Sequence, residues 1–231
     1  GYFADGESPE ILIGDMNKLR TLSQEPDKPY FMLGHSMGSY LLRRYLSVYG
    51  GGLSGAVIMG TGANPDAVAK LGMAVCKAIA AFKGWKYRSP FMEKLFFSGD
   101  FQKFDMDGTH PENSWLTKDT EIVRFYYSEP RCTFKFTLKA YYDFLKTVYY
   151  VNRKENVEKI PKDLPILMVA GDCDPVGEFG KAVKRVYEMY KAAGINDVTL
   201  KLYENDRHEI LNETDKERVF DDIFNWCESR Q

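Results

Sequence analysis

Apolar residues recur at helical spacing from Glu10 to Leu22 (EILIGDMNKLRTL), and the polar, proline-bearing QEPDKP that follows breaks the pattern. YFMLGH is then an apolar run of strand length. MGSYLLRRYLSVYGGG predicts a helix with Tyr40, Leu41, Tyr45 and Val48 near one face, ended by three glycines. GAVIMGT, Gly55 to Thr61, reads as a second buried strand by its length and branching. The rhythm changes from about Asn64 to Tyr150, where helical stretches and aromatic-rich loops contain no obvious buried strand. A strand pattern returns at Pro165 to Ala170, within PKDLPILMVAGDCD. An amphipathic helix is predicted from Glu178 to Gly194, then a strand and loop in DVTLKLYEND, and a closing helix in TDKERVFDDIFNWCESR.

Strands that are apolar throughout and alternate with helices belong to a parallel sheet covered on both faces, so the fold class is α/β. The change of rhythm divides the chain into a first core part (1–63), a helical insertion (64–150) and a second core part (151–231). A length of 231 residues suits one α/β domain carrying an insertion.

Charge and composition narrow the class. Lys and Arg number 31 against 33 Asp and Glu, a net charge of −2, which leaves no footprint for nucleic acid. Four scattered cysteines, Cys76, Cys132, Cys173 and Cys227, form no CxxC pair and read as reduced thiols of a cytoplasmic protein. The longest mostly apolar run, Leu71 to Phe82, is too short to span a bilayer and carries Lys77. An aromatic share of 14% points to a surface or groove rich in rings.

The candidate chemistry begins at Gly34-His35-Ser36-Met37-Gly38, a G-x-S-x-G placed between a predicted strand and a predicted helix. That context is a nucleophile elbow: a tight turn lifts the serine hydroxyl to the carboxyl end of the sheet. The N–H of Met37 then faces a developing oxyanion at the positive end of the helix. Serine needs a base to accept its proton, and the chain has three histidines. His35 belongs to the elbow, with its ring turned from Ser36. His110 lies in the turn-rich DGTHPEN, and His208 lies between the last strand and the last helix. His208 is therefore the expected base. The acid is expected on the loop after the strand at 165–170, where Asp172 and Asp174 are available. Asp174 is preferred because it precedes Pro175 and projects beyond the strand, while Asp172 is placed to bond the turn.

Other patterns carry less. DMDGT opens like a calcium loop, but Leu116 stands where its final glutamate belongs. GTGANP lacks the Lys-Ser/Thr of a phosphate loop. Arg43-Arg44 and Arg153-Lys154 read as solvated charges. No metal or organic cofactor is expected.

GYFAD, DMNKLR, FMLGHSMGSYLLRRYL, AVIMGTG, IPKDLPILMVAGDCDPVG and LKLYENDRHEILNE together resemble the monoacylglycerol lipase and lysophospholipase-like branch of the α/β-hydrolases, also described as serine aminopeptidase-like hydrolases. The resemblance covers nearly the whole chain. It implies Ser36, Asp174 and His208 as nucleophile, acid and base, a helical cap at about Asn64 to Tyr150, and action on carboxylic esters of lipids. It also implies further strands and an HG-type loop upstream of GYFAD, the loop supplying a second oxyanion N–H. The expectation is therefore an N-terminally incomplete chain whose FMLGH strand exposes an apolar edge.

Two readings compete with an ester hydrolase. An aminopeptidase would use the same triad and call on cap carboxylates such as Glu93, Asp105, Asp107 and Glu112 for the substrate amine. A non-catalytic lipid-binding protein would keep fold and pocket without turnover. Aspartate-dependent dehalogenase or epoxide hydrolase chemistry is disfavoured by serine at the elbow. Expected partners are a small-molecule or lipid ester and, transiently, a membrane surface.

Overall fold

The computed structural model describes residues 1–230. Its elements are α1 (Ser8–Ser23), β1 (Phe31–His35), α2 (Met37–Tyr49), β2 (Gly55–Met59), α3 (Asp66–Lys83), α4 (Pro90–Phe96), α5 (Thr120–Ser128), α6 (Leu138–Val151), α7 (Lys154–Val157), β3 (Ile166–Gly171), α8 (Lys181–Ala192), β4 (Val198–Tyr203) and α9 (Lys216–Glu228), with three short 3₁₀ turns. The four strands form one sheet in the order β1-β2-β3-β4, every pair parallel. Parallel pairing brings all four carboxyl ends to one edge of the sheet, and that edge carries the candidate chemistry.

Every residue of β2 and β3 is buried, so both are central strands. Their alternate residues feed two layers. Ala56, Ile58, Ile166 and Met168 pack with Leu42, Tyr45, Leu46, Val183 and Tyr190 of α2 and α8. Val57, Met59, Leu167 and Val169 pack with Val219 and Trp226 of α9. Full burial of each such side chain contributes roughly 1.5–3 kcal/mol, which makes these two layers the main source of stability. β1 is an edge strand, and Leu33 on it is 47% exposed. The insertion between β2 and β3 is helical: α6 packs against both α3 and α2, with Ala69, Cys76, Met92, Leu138 and Tyr141 in a core of its own.

Three details depart from the sequence expectation. Arg43 and Arg44 are buried rather than solvated. Arg43 donates to Thr61 Oγ1 (3.1 Å), Gly62 O (2.8 Å), Val151 O (3.2 Å) and Asn152 Oδ1 (2.8 Å), tying α2 to both ends of the insertion. Arg44 pairs with Glu10 and lies over the Tyr150 ring at 4.2 Å. Val48, expected on the packed face of α2, is half exposed, and Leu42 and Leu46 are buried there instead. α8 starts at Lys181, three residues later than expected, because Glu178, Phe179 and Gly180 all have positive φ (50°, 56° and 82°) and cannot begin a right-handed helix.

The elbow itself is built on close approach. A Cβ on Gly34 would lie 2.4 Å from Gly38 O and 2.9 Å from Leu42 Cβ, whereas a Cβ on Gly38 would meet nothing within 4 Å. Only the first glycine of the pentapeptide is therefore demanded by its neighbours. Gly34→Ala is expected to lower stability by about 1–3 kcal/mol through overpacking. Gly38→Ala, inside the first turn of α2, is expected to stay within about 1 kcal/mol of the parent. Urea midpoints of the two variants decide this; equal losses would show that the backbone relaxes around position 34.

Candidate active site

Ser36 occupies the turn between β1 and α2 with φ 52° and ψ −122°, a conformation that costs a non-glycine residue of order 1–3 kcal/mol. The turn holds because Ser36 N donates to Met59 O (3.0 Å) and Ser36 O accepts from Ser39 N (2.9 Å) and Ser39 Oγ (2.6 Å). The strained residue is thus fastened on one side to β2 and on the other to the first turn of α2. Met37 supplies the first N–H of α2, at the positive end of a 13-residue helix.

Asp174 lies on the turn after β3 and has no exposed surface. Its Oδ1 accepts from Val176 N (2.8 Å) and its Oδ2 from His208 Nδ1 (2.9 Å). A carboxylate can only accept in this bond, so the proton of the neutral imidazole sits on Nδ1 and the lone pair on Nε2. His208 Nε2 is buried and makes no hydrogen bond, to Ser36 Oγ or to any other group. Burial pulls the His208 pKa down, but the charge and hydrogen bond of Asp174 outweigh it, and the net shift is upward from 6.5.

Asp172 does a different job. Its Oδ1 accepts from Asn205 N (2.8 Å), joining the acid turn to the loop after β4 without touching His208. Beside it, Cys173 N donates to Asp206 O (2.8 Å). The two loops touch so closely that a Cβ on Gly171, the last residue of β3, would lie 2.1 Å from Asp206 O and 2.3 Å from Arg207 O. Glycine at the end of β3 is what lets the histidine loop cross there.

Two ring contacts at this site were outside the sequence expectation. His35 Nε2 lies 3.1 Å from His208 O, and the two imidazole centroids are 4.6 Å apart. A carbonyl accepts, so Nε2 of His35 carries its proton. Burial, reinforced by the nearby charge of His208, lowers the His35 pKa to about 4, so it is neutral near pH 7. Trp115, from the insertion, stacks on His208 with centroids 5.0 Å apart and planes 28° from parallel. The turn-rich loop around Trp115 has no periodicity that would have marked it. His110 stays remote from this cluster in its interactions: it lies on the surface, 3.6 Å from Glu112.

From Tyr40, one turn into α2, a chain of touching rings runs to His208. Tyr40 contacts Phe144 (5.2 Å), Phe144 contacts Phe96 (5.7 Å), Phe96 contacts Phe97 (6.1 Å), and Phe97 and Phe101 both contact Trp115 (6.1 and 5.4 Å). A small apolar cleft next to the elbow is lined by Phe3, Leu12, Met37, Leu41 and Phe144. A cavity of about 690 Å³ lies elsewhere, between α1 and the end of α2 at Arg20, Lys28 and Tyr49. It is wide open to solvent and contains none of the groups described above, so the chemistry is assigned to the strand ends. Among the described residues, no group of three His, Cys, Asp or Glu side chains is gathered so as to hold a metal ion. Likewise no helix there is long and apolar enough to cross a membrane.

Comparison with known proteins agrees with this architecture. The monoacylglycerol lipase of Mycolicibacterium smegmatis is 26% identical over 211 residues, which are 90% of this chain and 65% of the relative. The chain thus spans about two thirds of that protein's length. A thermostable carboxyl esterase from Bacillus coagulans, solved with glycerol, superposes with a TM-score of 0.88 at 29% identity, covering 100% of this chain and 74% of the esterase. A soluble variant of monoglyceride lipase from Saccharomyces cerevisiae, solved with a substrate analogue, superposes with a TM-score of 0.71 at 21% identity, over 97% of this chain and 69% of the lipase. That likeness bears on the fold alone. The family described as serine aminopeptidase, S33, matches residues 2–215, so this chain belongs to that family of α/β-hydrolases.

Proposed function

We propose that the chain carries the nucleophile, acid and base of a serine hydrolase that cleaves carboxylic esters with apolar acyl chains, of monoacylglycerol or lysophospholipid type. One observation carries the reading: a buried carboxylate fixes the tautomer of His208 so that an unpartnered Nε2 is left for the proton of Ser36, which is held in a strained turn. In the reaction, Ser36 Oγ attacks the acyl carbon while His208 Nε2 takes its proton. Asp174 then stabilises the imidazolium, and Met37 N–H donates to the oxyanion. His208 returns the proton to the leaving alcohol, and water activated by the same imidazole releases the acid from Ser36.

What surrounds the site supports this substrate class. The rings from Tyr40 through Phe144 and Phe96 to Phe97 are apolar and suit an acyl chain. A peptidase would need free carboxylates to hold a substrate amine, and three of the four cap candidates are engaged elsewhere. Glu93 pairs with Lys135 at 3.0 Å, Asp105 and Asp107 cap their own turn at Gly108 and Thr109, and Glu112 lies on the surface beside His110. A lipid ester has to be drawn from an aggregate, and exposed Leu71, Phe82 and Phe91 among lysines of the insertion suit a transient membrane contact. Sedimentation with phosphatidylcholine vesicles checks this contact; a Phe82→Asp, Phe91→Asp double variant is expected to bind less, and equal binding removes it.

Fluorophosphonate labelling is expected for the parent protein and absent in Ser36→Ala. The same substitution is expected to lower ester turnover by about 10⁴–10⁶-fold. Nitrophenyl esters of medium acyl length should exceed the acetate in kcat/KM, and amino-acid anilides should be poor substrates. Turnover that survives Ser36→Ala sinks the assigned nucleophile. Bound acyl lipid without any turnover or labelling would leave a lipid-binding protein.

The pH dependence has a definite sign. His208 acts as base only when neutral, so kcat/KM should rise with pH through a pKa above 6.5. Asp174→Asn removes the two larger of the three influences that raise that pKa and leaves burial, which lowers it, opposed only by the smaller effect of the Glu209 charge. The acid limb of the profile should therefore move to lower pH while kcat falls by about 10³–10⁴-fold. A limb that stays in place would show that another group titrates.

A further inference from the structure

The hydrogen bond to Asp174 fixes one atom of the His208 ring. It does not fix the plane of the ring, because an imidazole held at Nδ1 alone can still swing Nε2 away from the serine. The structure shows what else holds it. Residues 112–118 of the insertion run along the histidine loop as a strap. Main-chain bonds join them directly: His208 N donates to Trp115 O (3.4 Å) and Glu209 N to Leu116 O (2.7 Å). Thr117 Oγ1 donates to Asn212 O (2.9 Å). Arg207, the residue before the histidine, turns its guanidinium onto three strap carbonyls, those of Ser114 (2.5 Å), Thr117 (3.2 Å) and Glu112 (3.0 Å). The far end is locked by charge, with Lys118 Nζ on buried Asp206 (2.8 Å) and Lys118 N on buried Glu213 (3.1 Å). Trp115 is the side chain that this strap delivers to the imidazole, 9% exposed and stacked on it.

We propose that Trp115 is a positioning residue for His208, and that the strap 112–118 is part of the mounting of the catalytic base as well as part of the insertion. The proposal rests on the reading of His208 as general base. Trp115 holds the ring plane by flat contact while Asp174 holds its Nδ1 corner; together they aim Nε2. Nothing in this role touches the bound ester before attack, so its loss lowers kcat and leaves KM unmoved. A misaimed base at this scale costs up to about 10²-fold.

The test compares the parent with Trp115→Phe and Trp115→Leu in ester turnover, in the second-order rate of fluorophosphonate labelling, and in the NMR signal of the His208 Nδ1 proton. Trp115→Leu removes the flat face and is expected to lower kcat and labelling about 10–100-fold at unchanged KM, with the Nδ1 proton signal broadened or lost. Trp115→Phe restores a smaller flat ring and is expected to recover part of the loss, with kcat still several-fold below the parent and the Nδ1 proton signal retained. Should Trp115→Leu fail to fold, Trp115→Phe decides alone: kcat reduced several-fold at unchanged KM supports the proposal, and parental kcat overturns it. A folded Trp115→Leu that labels at the parental rate overturns it while leaving the serine-hydrolase reading intact. A parent protein that does not label at Ser36 removes that reading, and the inference with it.

Discussion

Asp174 has no exposed surface, and a carboxylate taken out of water is tolerated only when its oxygens are hydrogen-bonded. Both are: one by Val176 N, the other by His208. That requirement organises much of the carboxyl edge of the sheet. The histidine loop must come within reach of the turn after β3, which is why glycine ends β3 and why Asp172 and Cys173 each bond the loop after β4. Parallel pairing of β3 with β4, in register from Ile166↔Val198 to Gly171↔Tyr203, sets the two loops side by side.

Ser36 is held by a separate device. Ser36 does not hydrogen-bond His208 in this structure, so its strained turn is stabilised by β2 through Met59 O and by α2 through Ser39. The Asp174–His208 pair and Ser36 are therefore held independently and brought to a common edge by the sheet. His35 is the cross-link between them: it is the residue before Ser36, and its neutral ring bonds the carbonyl of His208. A small residue at position 35 would leave that carbonyl without this donor.

Much of this could be read from the chain, and the reason differs from residue to residue. Ser36 was legible because an elbow is a local object: five residues, the apolar run before them and the helix after them define it. Asp174 and His208 were legible through order along the chain and placement after strands. Arg43 and Arg44 were misread because periodicity records residue type, while the acceptors that bury Arg43 lie 18 to 109 positions away, at the two ends of the insertion. Trp115 was missed for a related cause. It sits in a turn-rich segment without periodicity, and its partner is 93 positions downstream, the difference between 208 and 115. The late start of α8 turns on two non-glycine residues at positive φ, which no local propensity announces.

These misreadings fall where the insertion meets the core. Arg43 fastens both ends of the insertion to the helix that follows Ser36, and the strap 112–118 fastens its middle to the loop that carries His208. A lid that only covered a pocket would need the first attachment and not the second. With both, the ring chain from Tyr40 to Trp115 is anchored beside the elbow at one end and against the imidazole at the other. The packing of the insertion's rings and the setting of the His208 imidazole then share one side chain, Trp115. Changes near Phe97 and Phe101 would reach His208 through Trp115, so the packing of the insertion and the orientation of the imidazole are physically coupled in this fold.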